Sequence, residues 1–385
     1  MRIGIDATTF VPGRTFGGQT YLEGVLSGLA KMESVQGVVF CSAAGQAHLK
    51  MRCPKMEYCS LPVPASIWLR GLWNWLMLPA HYTRNAVDVA FYPFNMARQV
   101  KVPSVLMVHD LVSRFYREHF PRHRAIYHSV RSWAVHRSLN CVDHVICHSQ
   151  AVAGEIPQFA PNLRAGVSVI PLAVAELHPS ETPFKPWAGR TGLKRVLITS
   201  FRNLHKNPAC ILAALAILQK DAPETAQRLE VWFTGADDAC FASLREQARR
   251  LGVDRRIHVT GYLPFRDILA LYRSADLVVF QTLYEGFGLP AIEAHAAGAA
   301  LLLSDIPVLR EVSAGAAEFF DPHSPSDLAH KLTTLLKNPQ ALASLRTRSI
   351  AAKAASHSMT WEKYAQELSV LCRRVGDNHR GKGRS

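Results

Sequence analysis

This chain of 385 residues lacks several patterns, and each absence closes a class of function. No apolar run approaches the roughly 18 residues that a membrane-spanning helix needs. The eight cysteines include no Cys-x-x-Cys pair, and a chain long enough to build its own core has no need of disulfides, which points to a reducing cytoplasm. Seventeen histidines contain no HExxH arrangement, so most are expected to be surface or partly buried residues. No G-x-G-x-x-G fingerprint or P-loop is present, and ATP-type binding is therefore not expected. No D-x-D triplet occurs either; Asp237 and Asp238 are adjacent and point apart if extended, so no metal site is expected. Acidic residues are in short supply, 30 against 44 basic ones, for a net charge of +14 and a pI near 9.6. In the absence of any RNA- or DNA-reading motif, that balance suits a phosphorylated substrate or an anionic membrane face better than nucleic acid.

What is present reads as an ordinary globular protein, 48% hydrophobic and 19% charged, too long for one comfortable core. The opening MRIGIDATTF is too short and too early-charged for a signal peptide and reads as a first buried strand. Further short apolar runs at Val38–Cys41, Val87–Tyr92, Ser104–Val108, His144–Cys147 and Ser168–Ile170 alternate with helical stretches such as Gln19–Lys31 and Arg124–Ser138. The polar, proline-rich segment 176–192 interrupts the rhythm as a linker. Alternation then resumes with strands at Arg195–Ser200, Leu229–Thr234, Ile257–Thr260, Leu277–Gln281 and Ala299–Ser304. The expected architecture is α/β, with two Rossmann-like doubly wound domains, 1–175 and 193–355, facing each other across a cleft. An amphipathic helix within 356–372, with Trp361, Tyr364, Leu368 and Leu371 at helical spacing, and a disordered basic tail, 373–385, close the chain.

Four places carry chemistry. Gly17-Gly18 ends the loop after the first strand, immediately before a helix beginning near Gln19, where glycine lets backbone approach a phosphate. A plain strand-to-helix turn explains the pair almost as well. His109-Asp110 follows the run Val105–Val108, at a strand's carboxyl end, where a histidine can meet a sugar hydroxyl or steer a proton. Arg202 and Lys206 lie in SFRNLHKNP, in the corresponding place of the second domain; cations where a helix start ordinarily favours acids suit a diphosphate.

The fourth place is EGFGLPAIE. Glu285 lies in a glycine-rich loop, Pro290 falls in the first turn of a helix starting near Leu289, and Glu293 lies on that helix. Carboxylates repel phosphate but accept well from sugar and ribose hydroxyls, and the amides of Phe287, Gly288 and Leu289 are available to what lies between. The pattern suits a sugar nucleotide.

EGFGLPAIEAHAAG resembles the E-x7-E signature of the retaining GT-B glycosyltransferases of family 4, which includes bacterial mannosyltransferases. GIDA, GGQTY, LWNWLMLP, VHDL, HSQAV, the KNP loop, VTGYLP, SADLVVF and TWEKYAQEL are similar to that family too, over roughly residues 1 to 372. The resemblance implies that Glu285 holds the donor sugar and supports charge at its anomeric carbon, that Glu293 accepts from the ribose, and that His109 faces the sugar. It further implies that Arg202 and Lys206 neutralise the diphosphate, that Gly18 lets the acceptor-side loop close, that backbone at Gly261 and Tyr262 lies near the base, and that the last helix crosses back to the first domain. Ser200 stands where glycine is common, His205 where arginine is, and the Arg202–Lys206 spacing is short, which leaves open which cation meets which phosphate.

The expectation is a cytoplasmic hexosyltransferase using no cofactor, with GDP-mannose as donor and a polysaccharide or lipid-linked saccharide as acceptor, in contact with an anionic membrane surface. A sugar-nucleotide 2-epimerase on the same fold and a basic nucleic-acid-binding protein are the alternatives. The tryptophan-rich stretch Ser66–Leu78 suits either a membrane interface or, better, a helix packed inside the first domain, and Phe115–Arg124 suits a basic, aromatic lip beside the site.

Overall fold

The computed structural model describes residues 1–13, 16–64, 67–173, 187, 192–199, 201–235, 238–356 and 359–382. The chain divides into two compact units, Met1–Ala175 with Met359–Ser385, and Glu176–Ser358. Of the proposed linker 176–192 only Trp187 and Gly192 are described; Ser200, Asp237 and the side chain of Asp238 also lie outside the described residues.

The first unit is built on a seven-stranded sheet. Its strands are β1 (Arg2–Ala7), β2 (Gln36–Cys41), β3 (Glu57–Ser60), β4 (Val89–Tyr92), β5 (Ser104–Val108), β6 (His144–Cys147) and β7 (Gly166–Val169). They lie in the order β3-β2-β1-β4-β5-β6-β7, all parallel. Between them run α1 (Phe16–Leu29), α2 (Ala43–Arg52), α3 (Ile67–Arg84), α4 (Val112–His119), α5 (Ala125–Leu139) and α6 (Gln150–Phe159). Helices on both faces explain why β5 is buried at every position and reads as an uninterrupted apolar run.

The second unit repeats the plan with six strands in the order β10-β9-β8-β11-β12-β13. These are β8 (Lys194–Thr199), β9 (Leu229–Thr234), β10 (Ile257–Val259), β11 (Leu277–Phe280), β12 (Leu301–Ser304) and β13 (Glu318–Phe320). Its helices are α7 (Pro208–Asp221), α8 (Pro223–Gln227), α9 (Asp238–Arg250), α10 (Phe265–Ser274), α11 (Leu289–Ala296), α12 (Pro307–Ser313), α13 (Pro325–Lys337) and α14 (Pro339–Ser356). In each unit the winding reverses between neighbouring strands, β1 and β4 in the first and β8 and β11 in the second. Such a switch point opens a crevice at the strands' carboxyl ends, where ligands bind in open parallel sheets.

The eleven strands expected from the sequence are present, with ends shifted by no more than two residues, and β3 and β13 are added at sheet edges. The last helix departs from expectation. As α15 (Trp361–Lys382) it continues ten residues past Cys372, so the tail expected to be disordered is helical as far as Lys382. Buried residues Leu368, Leu371, Cys372 and Val375 continue the apolar spacing one turn beyond the point where basic composition suggested it ended.

Helix α15 belongs to the first unit and packs on α1. Gly24 and Gly28 lie one turn apart on α1 and receive Trp361: a Cβ on Gly24 would stand 2.1 Å from the indole, and one on Gly28 2.3 Å from the Trp361 carbonyl oxygen. The hydroxyls of Tyr21 and Tyr364, both buried, share a hydrogen bond of 2.8 Å, and Lys31 pairs with Glu362 at the rim. Helix α3 buries Leu78 and Tyr82 in the unit's core, with half-buried Trp73 against it, while Leu76 and Met77 are exposed. The side chains of Trp68 and Trp75 lie outside the described residues.

Gly28→Val should force α15 off α1, because the clash is with backbone that cannot rotate away. A destabilisation of about 1–3 kcal/mol is expected, the usual range for overpacking, read as a lowered denaturation midpoint. An unchanged midpoint would refute this account of the glycine pair.

Candidate active site

In the second unit the candidate residues converge at the carboxyl edge of the sheet. The chain leaves β8 through Phe201 and Arg202 into a 3-10 turn, Leu204–Lys206, and Asn207, in the left-handed conformation, turns it into α7. Lys206 therefore lies in the loop that precedes α7. The chain leaves β11 through Gln281 and Thr282. Gln281 Nε2 donates to the Lys206 carbonyl at 2.8 Å, Leu283 N to the His205 carbonyl at 2.6 Å, and the Thr282 hydroxyl lies between the carbonyls of His205, 3.1 Å, and Tyr284, 2.9 Å. Gln281 and Thr282 are fully buried, so these bonds form away from water and fix the two loops to each other.

That clamp sets an ion pair. Lys206 Nζ donates to Glu285 Oε1, with side-chain exposures of only 13% and 12%, and the ammonium also stands 5.1 Å from the centroid of the Phe280 ring. The sequence reading gave these two residues separate parts of a ligand; the structure couples them directly. Two mostly desolvated charges are held in place by each other.

Beyond Glu285 the chain reaches Gly288, at φ 82°, and enters α11, with Pro290 in its first turn. A side chain at Gly288 would be strained by the backbone, and a Cβ would lie 2.7 Å from Leu309 Cδ2. The N-cap, Gly288, supplies no side-chain cap and the first turn carries no acid, so neither offsets the positive dipole end of α11. Glu293 lies one turn into the helix, apart from Glu285, and its Oε2 accepts from the buried Tyr272 hydroxyl at 3.2 Å. Burial pushes the Glu293 carboxyl up to about 7, against the pull of the Tyr272 hydrogen bond. A buried carboxyl with one hydroxyl donor is short of hydrogen-bond partners.

The neighbouring loops complete this edge. Gly261, at φ 69° after β10, accepts from Gly235 N at 3.1 Å, which ties the loops after β9 and β10. Tyr262 is 53% exposed, and its hydroxyl lies 3.5 Å from Arg202 Nη1, so Arg202, Tyr262 and Gly261 form the outer side of the same edge. The structure brings Arg202 to Tyr262 and Lys206 to Glu285, and places Phe287, Gly288 and Leu289 at the entry to α11.

In the first unit His109 follows β5 as expected. Its Nε2–H donates to the Pro93 carbonyl at 2.8 Å, its backbone N–H donates to Asn95 Oδ1 at 2.7 Å, and its ring meets Tyr21 edge-on at 4.7 Å. Burial lowers its pKa, and that of neighbouring His148 falls to about 3 from burial and from the His109 ring. His109 is thus neutral near pH 7, with Nδ1 as its acceptor nitrogen. Asn95, at φ 30°, also donates from Nδ2 to the Asp110 carbonyl at 2.9 Å, so it holds both halves of the His109-Asp110 turn. Although burial disfavours its charge, Arg131 is held protonated by Asp110 and by Tyr127, whose hydroxyl it contacts at 3.0 Å. Gly17 and Gly18 do not precede the helix: α1 begins at Phe16 and both lie in its first turn. Gly17 is exposed, and a Cβ there would meet nothing within 4 Å, so packing gives no reason for this glycine.

Sequence reasoning missed Gln281, Thr282, Tyr272 and Asn95. Each acts by holding a neighbour, and a hydroxyl or amide in that role has no spacing signature.

Comparison with known proteins finds glycosyltransferase models that match both parts of the chain. Residues 17–176 match the family model Glycosyltransferase Family 4, and residues 182–354 match Glycosyl transferases group 1. The fold is that of the GT-B glycosyltransferases. Among solved structures, the sucrose-phosphate synthase of Thermosynechococcus elongatus superposes with a TM-score of 0.77 over 97% of this chain and 99% of its own, at 16% identity. Glycogen synthase of Mycobacterium tuberculosis is 31% identical over 217 residues, 56% of this chain and 49% of that protein. The serotype-specific mannosyltransferase WbdA of Escherichia coli is 36% identical over 108 residues, 28% of this chain and 13% of that protein. The chain thus spans about half, or less, of the length of these curated relatives.

Because folding raises the Glu293 pKa above its unfolded value, the folded state binds the extra proton. The resulting stability is fully present below about pH 4.5 and is lost as pH rises through about 7. Glu293→Gln should flatten this slope. Melting temperatures measured from pH 4.5 to 7.5 test it, and parallel curves for the two proteins would contradict a buried, proton-holding Glu293.

Proposed function

We propose that this chain is a retaining glycosyltransferase that moves a hexose, mannose from GDP-mannose, from a nucleotide-sugar donor to a polysaccharide or lipid-linked saccharide at an anionic membrane face, forming an α-glycosidic bond. One observation carries the reading. Within a domain matching a glycosyltransferase model, Lys206 and Glu285 are paired beside the uncapped start of α11, with Glu293 one turn into it, where the strand order reverses. The 36% identity to a mannosyltransferase favours the choice of sugar.

In this reading Glu293 accepts from the ribose hydroxyls, and the backbone at Gly261 and Tyr262 borders the base. Arg202, Lys206 and the amides of Phe287, Gly288 and Leu289 meet the diphosphate. The incoming diphosphate draws Lys206 from Glu285, and the released carboxylate accepts from the donor sugar and supports positive charge at its anomeric carbon. The bond from that carbon to the phosphate oxygen breaks as the acceptor oxygen bonds on the same face, and the acceptor proton passes to the departing diphosphate. Fixed cations and helix-end dipoles balance the leaving charge without a metal ion. His109, neutral, offers Nδ1 to a sugar hydroxyl, and the glycine pair Gly17-Gly18 leaves room on the acceptor side.

Thermal shift and turnover with GDP-, UDP-, dTDP- and ADP-sugars, with and without membrane lipid extract, test the reading. GDP-mannose is expected to stabilise the protein and to be consumed. Glu285→Ala should lower turnover by roughly 100-fold or more with donor binding largely kept, whereas Glu293→Ala should mainly weaken nucleotide binding. If no sugar nucleotide stabilises the protein and none is consumed, the transferase reading fails; equal losses of both kinds in the two variants refute the division of roles.

A further inference from the structure

Helix α5 packs the wrong way round for a helix of a water-soluble domain. Its buried face carries His128, Ser132, Val135, Ser138 and Leu139, three of them polar among small side chains. Its outward face carries Ile126, 79% exposed, Val130, 37%, and Trp133, 62%, at intervals of four and three residues, with Tyr127 beside them at 42%. These apolar groups share one stripe, whereas a surface helix ordinarily turns such a stripe to the core. A contiguous exposed apolar stripe marks a surface that meets something other than water.

The polar residues around the stripe identify the partner. From Leu111 to Val142 the sequence has six arginines and no lysine, against one acid, Glu118, which is paired with Arg114. Arg122 and Arg124 stand exposed at the start of α5, and at its far end the Arg137 guanidinium covers the Trp133 ring, 5.9 Å from its centroid. A groove of about 640 Å³ beside Trp133 is lined by Arg114, Arg117 and His136 together with Glu118, the acid paired to Arg114. Aliphatic side chains and tryptophan at the centre, with arginine at both ends, match an interface of acyl chains beneath anionic headgroups. No helix among the described residues is long and apolar enough to cross a membrane, so the contact is one of lying on the surface.

We propose that the outer face of α5, with Arg122 and Arg124 at its start, docks on the surface of an anionic phospholipid bilayer. Ile126, Val130 and Trp133 enter the headgroup boundary, and the arginines meet lipid phosphates. The docking surface names the residues for the membrane contact in the function proposed above; that it serves a lipid-linked acceptor rests on that reading, but vesicle binding does not.

Sedimentation with vesicles, in the absence of any sugar nucleotide, tests the surface independently of activity. The protein should pellet with phosphatidylcholine vesicles containing about 30% phosphatidylglycerol and not with phosphatidylcholine alone, and raising salt from about 0.1 M to about 0.5 M should weaken binding. The triple variant Ile126→Ser, Val130→Ser, Trp133→Ser, confirmed as folded by circular dichroism, should bind at least about tenfold more weakly. Arg122→Gln with Arg124→Gln should lose affinity for the anionic vesicles and part of the salt dependence. Failure to pellet with anionic vesicles overturns the proposal, as does equal binding by the triple variant. It is equally overturned if the wild-type protein instead self-associates through this face, seen as a dimer in sedimentation velocity that the triple variant abolishes.

Discussion

The ion pair between Lys206 and Glu285 is the constraint on which the second unit's candidate site depends. A lysine and a glutamate this short of solvent are costly to separate without a replacement partner, so each loop is held to the position that lets the pair form. Hydrogen bonds from Gln281, Thr282 and Leu283 to the 204–206 turn do the same through backbone, and they descend directly from the adjacency of β8 and β11. The pairing therefore follows from sheet order: two loops distant in sequence become neighbours because the strands before them are hydrogen-bonded. Gly288 then carries the chain into α11 in a conformation open to glycine, and this directs the helix start to the same edge.

The same logic explains which parts of the molecule could be read from sequence. Strands covered on both faces are apolar throughout, and β5, β9 and β11 are legible for that reason. The edge strand β3, Glu57–Ser60, is half open to solvent and carries no residue buried enough to mark it; β13 is three residues long with only Phe320 buried. Basic composition concealed the last turns of α15, because its apolar stripe is narrow and its arginines lie on the opposite side. Candidate ligand-facing residues could be selected because charge and glycine are conspicuous at strand ends. Their supports could not: Thr282 and Tyr272 are ordinary residues whose role arises from burial beside a particular neighbour.

The first unit shows how a histidine at a strand end can be kept neutral. His109 and His148 stand 5.2 Å apart by ring centroid, both against Tyr21, whose hydroxyl is bonded to Tyr364 from α15. Burial disfavours a proton on either ring, the His109 ring adds to this at His148 and Arg131 adds to it at His109, and the backbone carbonyls of Pro93 and Ile170 each orient one ring nitrogen. The final helix is thus part of the wall behind His109 as well as a packing element. Gly24 and Gly28 admit Trp361 to α1, which brings Tyr364 within reach of Tyr21. A change in the seating of α15 would be felt at His109 through two aromatic contacts.

Helix α5 contrasts with both sites, because nothing among the described residues of its own unit covers its outward face. Composition alone would assign Ile126, Val130 and Trp133 to a core, and the structure instead buries His128, Ser132 and Ser138. Contacts outside the helix hold the buried polar residues: Ser138 Oγ accepts from the Ala97 N–H at 2.9 Å, Ser132 Oγ accepts from Arg117, and the His128 ring stacks on Tyr116 at 4.3 Å, although its Nδ1 makes no hydrogen bond. Rotating the helix to bury the apolar stripe would break the bonds of Ser132 and Ser138 to Arg117 and Ala97 and the stacking of His128 on Tyr116. The orientation is therefore fixed from inside, and the stripe stays outside at the cost of about 25 cal/mol for each Å² of apolar surface left in water. Removal of that surface from water by a bilayer would recover this cost, and the surrounding arginines would gain from the anionic headgroups at the same contact.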